Sequence, residues 1–258
     1  MSQASLGQGG QAASPSEPAT APLEAGAPPQ TGAESGMGAQ PVMAAGPGTR
    51  APRAGRWGTV AVTYAPAAAA ALVMAVLGVW GLARDSSMGN DEVATRWAAL
   101  LSLHDLAHLL HKMDAVHGLY YLLMHVWVAV GSSPAVLRIP SVAAMTAAVA
   151  MVAILTRRLT GSGWAGLFAG LIMALTPAIS YYAQTARSYA MVLACVAGAT
   201  LVLVHALSAE AAGGRGARLA RWWLAYGALI VLGGYLNEMS LLVLAAHGVT
   251  VLVARYRW

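Results

Sequence analysis

The sequence predicts an all-α, polytopic membrane protein with about six transmembrane helices. It adds amphipathic or re-entrant helices in the first outer loop and a disordered N-terminal tail. Three observations lead there. The chain is 58% hydrophobic, with a mean hydropathy of +0.60 and only 10% charged residues, whereas soluble domains carry roughly 25% charged residues. Apolar runs recur that approach the roughly 20 helical residues needed to cross a hydrocarbon core of about 30 Å. The arginines lie between those runs and form no basic aromatic patch. The net charge of +5 therefore marks topology and argues against nucleic acid as a partner.

Residues 1–56 are of different material: "GQGGQAASPSEPATAPLEAGAPPQTG" is Ala, Gly, Pro, Ser and Gln with almost no large apolar side chain. It cannot bury enough surface to offset its ordering entropy, so it reads as a disordered cytoplasmic tail. It lacks the basic start and short apolar core of a signal peptide. Residues 57–258 form the transmembrane domain. Its single cysteine, Cys195, excludes an intrachain disulfide framework and suits helix packing.

The candidate spans are Thr59 to Leu82, Ile139 to Leu155, Trp164 to Ile179, Tyr189 to Leu207, Trp222 to Leu236 and Met239 to Ala254. Leu119 to Val130, "LYYLLMHVWVAV", is shorter and carries His125 at its centre. Arginine placement decides its role, because cytoplasmic loops collect Lys and Arg. With the N-terminus inside and this run not crossing, ten basic residues lie inside (Arg50, Arg53, Arg56, Arg157, Arg158, Arg215, Arg218, Arg221, Arg255, Arg257). Five lie outside (Arg84, Arg96, Lys112, Arg138, Arg187). If the run crosses, the ratio inverts. The run is therefore a re-entrant or interface-lying helix. Asp85, Asp91, Glu92, Asp105, Asp114, Arg138, Arg187 and Glu238 then share the outer, extracytoplasmic face of a cell membrane.

In the first outer loop, "GNDEVATRWAALL" reads as a helix start. Asn90 can cap it, and Asp91 and Glu92 occupy the turn where acids favour the helix dipole. Val93, Trp97 and Leu100 at helical spacing suit an amphipathic helix on the bilayer. "SLHD" offers a second start, with Ser102 and Asp105 spaced as a capping box. Beyond it, Leu103, Leu106, Leu110 and Met113 share one face, and His104, His108 and His111 the other. That histidine stripe is either the wet face of an interfacial helix or a metal site. No carboxylate or thiolate completes a familiar ligand set. Further along, "TPAISYYAQTARSYA" ends one helix at Pro177 and sets Tyr181, Tyr182 and Tyr189 in an aromatic belt. Arg187 sits at the outer end of the next span, where it either snorkels to headgroups or binds phosphate through its planar fork.

"NDE" after the first span, "DAVHGLYYLLMHVW", "AVLRIPS", "TRRLTGSGWAGLFAGLIMALTP" and "YYAQTARSYA" follow in an order that resembles the GT-C superfamily of integral membrane glycosyltransferases. Within it, the chain most resembles the bacterial branch related to polyprenyl- or dolichyl-phosphate-mannose protein mannosyltransferases. The resemblance runs from about Thr59 to the C-terminus. It implies transfer of a sugar, mannose in that branch, from a polyprenyl-phosphate donor to a protein or glycan acceptor, with inversion. It makes Asp91 the catalytic base and Glu92 its assistant, has Arg187 and Arg138 bind the donor phosphate, and lines the site with His117, Tyr120, Tyr121, Gln184 and Tyr189. A divalent metal is a cofactor to test. The family segment matching "AQTARSY" often reads Gln-Glu-Ala-Arg-Pro-Tyr. Thr185 and Ser188 depart from it, and a second acid is missing. Family members also run to about twice this membrane-embedded length, so the chain reads as an N-terminal half. The alternatives are a polytopic transporter or lipid flippase, in which ionisable groups sit at mid-membrane as His247 does, and a catalytically inactive truncated membrane protein.

Overall fold

The computed structural model describes residues 56–84, 87–112 and 115–256. Residues 1–55 of the expected disordered tail lie outside them, as do Asp85, Met113, Asp114 and Arg257, while Arg56, the last residue assigned to that tail, starts the first helix. All regular structure among the described residues is helical: α1 Arg56–Arg84, α2 Asn90–Leu100, α3 Leu103–Lys112, α4 Gly118–Trp127, α5 Pro134–Thr160, α6 Gly163–Leu175, α7 Pro177–Ala183, α8 Tyr189–Ala211, α9 Ala217–Leu236 and α10 Val243–Tyr256. Short 3₁₀ turns, Ala115–His117 and Glu238–Leu242, lead into α4 and α10. Among the described residues, five helical stretches are long and apolar enough to cross a membrane. A sixth crossing forms if α6 and α7, bent by 68° at Thr176-Pro177, count as one broken span. The protein is thus an all-α polytopic membrane protein.

Pro177 explains that bend: it has no N–H to continue α6, and it starts α7 at the position where proline is tolerated. α5 begins five residues earlier than the apolar run, with Pro134 in its first turn and Ser133 accepting from the Val136 N–H. Arg138 is therefore part of a membrane helix instead of a loop. Gly161, at φ 72°, ends α5 in the left-handed conformation that favours glycine. The helices α1, α5 and α6 meet through small residues. A Cβ on Gly170 would fall 2.6 Å from the Ala70 Cβ, and one on Gly166 would fall 2.5 Å from the Ala153 carbonyl. Such close approach of backbones is how membrane helices associate without a hydrophobic driving force.

α4 does not cross. Ten residues span only about 15 Å as helix, and its side chains tie it to one end of the bundle. His125 Nδ1 donates to the Ala99 carbonyl of α2 at 3.0 Å, and Trp127 Nε1 donates to the Val136 carbonyl of α5 at 2.8 Å. The end of α1, the start of α5 and the segment before α8 lie at the same end, where Gln184 meets the Leu77 carbonyl and Glu92 meets Arg138 and the Ala186 N–H. At the opposite end, Arg158 of α5 meets His205 of α8 at 2.8 Å, and Arg255 of α10 meets Glu210 of α8 at 3.7 Å. The alternation of helix ends is that of the threading in which Leu119 to Val130 stays on one side.

Candidate functional site

The site is built around the start of α2. Gly89, not Asn90, is the N-cap, and the N–H groups of Glu92 and Val93 both reach its carbonyl at 3.0 Å. Asn90 is the first helical residue. Glu92, three residues past the cap, turns back so that its Oε2 accepts the Gly89 N–H at 3.2 Å. That is the acidic half of a capping box. The same carboxylate accepts three further hydrogen bonds. Arg138 donates Nε to Oε1 at 2.8 Å and Nη2 to Oε2 at 2.6 Å, the parallel fork geometry of arginine on a carboxylate. The Ala186 N–H donates to Oε1 at 2.7 Å. Both side chains of this pair are 5% exposed. Arg138 Nη2 also donates to the Ser87 carbonyl at 2.6 Å. One carboxylate thus joins α2, α5 and the link between α7 and α8.

Burial is the largest single influence on Glu92 and pushes its carboxyl upward. The Arg138 hydrogen bonds, the Ala186 and Gly89 N–H groups and the Arg138 charge together outweigh it, so the group is held below its ordinary range. Ionised and with four bonds made, Glu92 has no lone pair left for a proton in transit. It is a positioning residue.

Asp91 is the opposite case. Adjacent residues on a helix point about 100° apart, and while Glu92 faces α5, Asp91 opens to solvent with its side chain 65% exposed. Its Oδ2 lies 3.7 Å from Arg187 Nε, an ion pair just beyond hydrogen-bond reach. The Arg187 side chain is 11% exposed. Burial alone would lower its affinity for a proton. The charge of Asp91, with Tyr189 and Tyr121 contributing, more than reverses this, so it stays cationic.

Asp91, Glu92 and Arg138 border a cavity of about 480 Å³ at this end of the bundle, and Arg187 stands behind its wall. Asp91, Glu92, Arg138 and Gln184 supply its polar wall; Tyr181, Tyr182 and Tyr189 supply an aromatic one. The tyrosines pack edge to face, with ring centroids 5.3 Å apart for Tyr181 and Tyr182 and 5.1 Å for Tyr182 and Tyr189. Gln184 is held by its Nε2 on the Leu77 carbonyl at 3.1 Å, where α1 approaches its end. Polar groups converging on a concave, partly aromatic pocket are the usual form of a small-molecule site.

Not every expected residue lines this cavity. His117, Tyr120 and Tyr121 stand behind it. Tyr120 and Tyr121 are buried in a core with Ala99, Leu106, Leu137 and Ala186, and His117 is half-buried with its ring 6.1 Å from that of Tyr121. Full burial pushes the Tyr120 phenol far above its ordinary range, so it stays neutral. Arg138 borders the cavity, but its charge is taken by Glu92. Arg187 supports Asp91 from behind. His104, His108 and His111 are exposed on α3, with the first two rings 4.8 Å apart. No three His, Cys, Asp or Glu side chains among the described residues are grouped to hold a metal. Leu106 alone of the apolar face on α3 is fully buried, and Leu103 is exposed.

Sequence reading missed the Ala186 N–H, the Ser87 carbonyl and the cavity-wall role of Tyr181 and Tyr182. The density of tyrosines in "SYYAQTARSY" was a usable signal for the last, because the chain breaks there and brings Tyr189 back onto the same wall. Comparison with family models, with curated proteins and with solved structures found no match.

Proposed function

We propose that the protein transfers a sugar from a polyprenyl-phosphate donor to an acceptor hydroxyl on the outer membrane face, with inversion and with Asp91 as base. The observation that carries this reading is the division of labour between two adjacent acids at one cavity. Glu92 is saturated by Arg138, Ala186 and Gly89, and Asp91 is exposed and unsaturated beside a cationic Arg187. A general base must reach a substrate proton, and an acid with all its acceptor positions used does not.

Asp91 takes the proton of the acceptor hydroxyl as that oxygen bonds to the anomeric carbon. The anomeric carbon's bond to the phosphate oxygen breaks, and the lipid phosphate leaves with the electron pair. Arg187, 3.7 Å from Asp91, supplies the positive charge next to which a phosphate gathers negative charge. The tyrosine wall suits a sugar ring, which stacks its C–H face on aromatics. The transporter alternative drew on His247, but that side chain has both ring nitrogens engaged, with Thr200 at 3.0 Å and Tyr226 at 3.1 Å. It joins α8, α9 and α10 as a packing element.

The test is transfer of radiolabelled sugar from a polyprenyl-phosphate donor in membranes carrying the full chain. Asp91→Asn should lower the rate about 10²- to 10⁴-fold, the usual contribution of a general base. Undiminished transfer by that variant would sink the assignment. Asn90→Cys, labelled in intact cells by a membrane-impermeant maleimide, should report the outer face. Protection until the membrane is opened would reverse the orientation.

A further inference from the structure

We propose that the opposite end of the bundle carries a second binding site, specific for the phosphate of an anionic phospholipid headgroup. A cavity of about 490 Å³ opens there, lined by Tyr64 of α1, Arg157 and Arg158 of α5, Leu201 and His205 of α8 and Trp222 of α9. Its distance from the Asp91 cavity follows from the helices that reach both. Arg138 and Arg157 lie 19 positions apart on α5, about 29 Å at 1.5 Å per residue. That is close to the thickness of a hydrocarbon core, so the two cavities sit at opposite membrane interfaces.

Two cations without acids set the chemistry. Neither Arg157 nor Arg158 has a carboxylate partner among the described residues, and Glu210 at the same end pairs with Arg255. A basic residue at a helix end in this position ordinarily serves topology and the helix dipole. What sets Arg158 apart is that it is held in place. An arginine only donates, so its Nη1 must donate to His205 Nε2 at 2.8 Å. His205 therefore carries its proton on Nδ1, which donates to the Leu201 carbonyl at 2.8 Å. The Trp222 ring packs against that imidazole at 5.1 Å, tilted by 31°. A chain from backbone carbonyl to imidazole to guanidinium fixes the fork beside the cavity, and Arg157 brings a second charge.

The occupant follows from place and chemistry. Basic pockets between membrane helices at the interface are the form in which anionic headgroups are bound. Tyr64 and Trp222, with Trp164 71% exposed at the start of α6, are amphipathic rings of the kind found at headgroup level. A lipid keeps its acyl chains along the exposed apolar flank of the helices while its phosphate meets the arginines.

The full chain, purified and placed in nanodiscs of mixed phosphatidylglycerol and phosphatidylcholine, would be released into native mass spectrometry. Phosphatidylglycerol should be retained at least about tenfold over phosphatidylcholine, and Arg157→Gln and Arg158→Gln should each lower that retention about tenfold, as for loss of one charge-assisted hydrogen bond. Arg218→Gln, exposed in the first turn of α9 at the same end but not in the cavity wall, should change it less than about twofold. Should Arg158→Gln not be recovered folded, Arg158→Lys keeps the charge and loses the fork, and unchanged retention would overturn the site. Equal loss in Arg218→Gln would assign the effect to diffuse basic charge and overturn it too. Displacement of the lipid by millimolar inorganic phosphate would make the ligand a free phosphate and defeat the lipid assignment.

Discussion

Asp91 and Glu92 are neighbours in the chain, and the two regions they face differ in almost every physical respect. The Glu92 side is closed, with four hydrogen bonds reaching one carboxylate from the cap of α2, from α5 and from the segment before α8. The Asp91 side is open, with one arginine at 3.7 Å and the cavity in front. A buried ion pair has its desolvation offset only when every acceptor position is filled. A pair with one partner open to solvent, as Asp91 is, contributes less to stability and leaves that partner available for chemistry. The first region therefore holds three helices in register, and the second uses the register so obtained.

Breaking the first region should have the largest effect. Glu92→Gln leaves Arg138 charged and buried against an amide, and the expected loss is about 3–5 kcal/mol, read as a lowered thermal midpoint in detergent. Arg138→Met, which strands the carboxylate instead, should cost a similar amount. The double variant Glu92→Met with Arg138→Met should be more stable than either single variant, because apolar replacement removes both desolvation penalties. A double variant as unstable as the sum of the singles would mean that the pair is not a closed unit.

The same pair gives a pH dependence of fixed sign. The Glu92 carboxyl is held below the ordinary 4.5, so the folded state binds its proton less readily than the unfolded state. Its contribution is complete above the unfolded value and lost as pH falls through the folded one. Thermal midpoints of the wild type should stay level from pH 7 to about 5 and then fall, and the double variant should lose that decline. A wild-type midpoint that rises on acidification would contradict the assigned direction.

The second region should respond the other way, in activity more than in stability. Asp91→Asn takes the counter-charge from the nearly buried Arg187 and should cost about 1 kcal/mol, well below the loss at Glu92, while lowering the transfer rate about 10²- to 10⁴-fold. Arg187→Lys keeps the charge and loses the planar fork. It should lower kcat about tenfold with KM changed less, because the charge it supplies is needed as the phosphate leaves. A raised KM with kcat unchanged would place Arg187 on the bound donor only, with no extra help to the transition state.

Much of this fold was legible because membrane helices are written in composition. The apolar runs located the crossings, and the arginine distribution kept Leu119 to Val130 on one side, where His125 and Trp127 now tie it to α2 and α5. Thr176-Pro177 marked the bend. The site was legible only as a neighbourhood. Nothing local in "NDE" says which acid is buried, because that depends on Arg138, 46 positions away, and on a backbone N–H at Ala186 that no residue type advertises. Arg138 itself was expected as a phosphate ligand. That α5 starts at Pro134, ahead of the apolar run, is what turns it inward to Glu92.

Packing away from the two regions offers a smaller effect. Gly166→Val puts side-chain carbon where the Ala153 carbonyl stands, 2.5 Å from the Cβ position, and backbone cannot yield as a flexible side chain would. Separation of α6 from α5 should cost about 1–3 kcal/mol. The change lies far from Asp91, so the transfer rate of the surviving folded fraction should be unchanged.

The smallest effect tests how the non-crossing helix is held. His125 carries its proton on Nδ1, since the Ala99 carbonyl it meets only accepts. His125→Phe keeps a ring of similar size and removes that donor, leaving a carbonyl at the α2–α4 contact without its partner, for about 1 kcal/mol. Because Ala99 lies two turns beyond Glu92 on the same helix, the loss should be local. Amide exchange should rise across Gly118–Trp127 while residues 134–160 keep their protection. Equal exchange gains in both segments would mean that α4 and α5 open as one unit, and that the site's frame extends further along the first loop than the Glu92 bonds alone require.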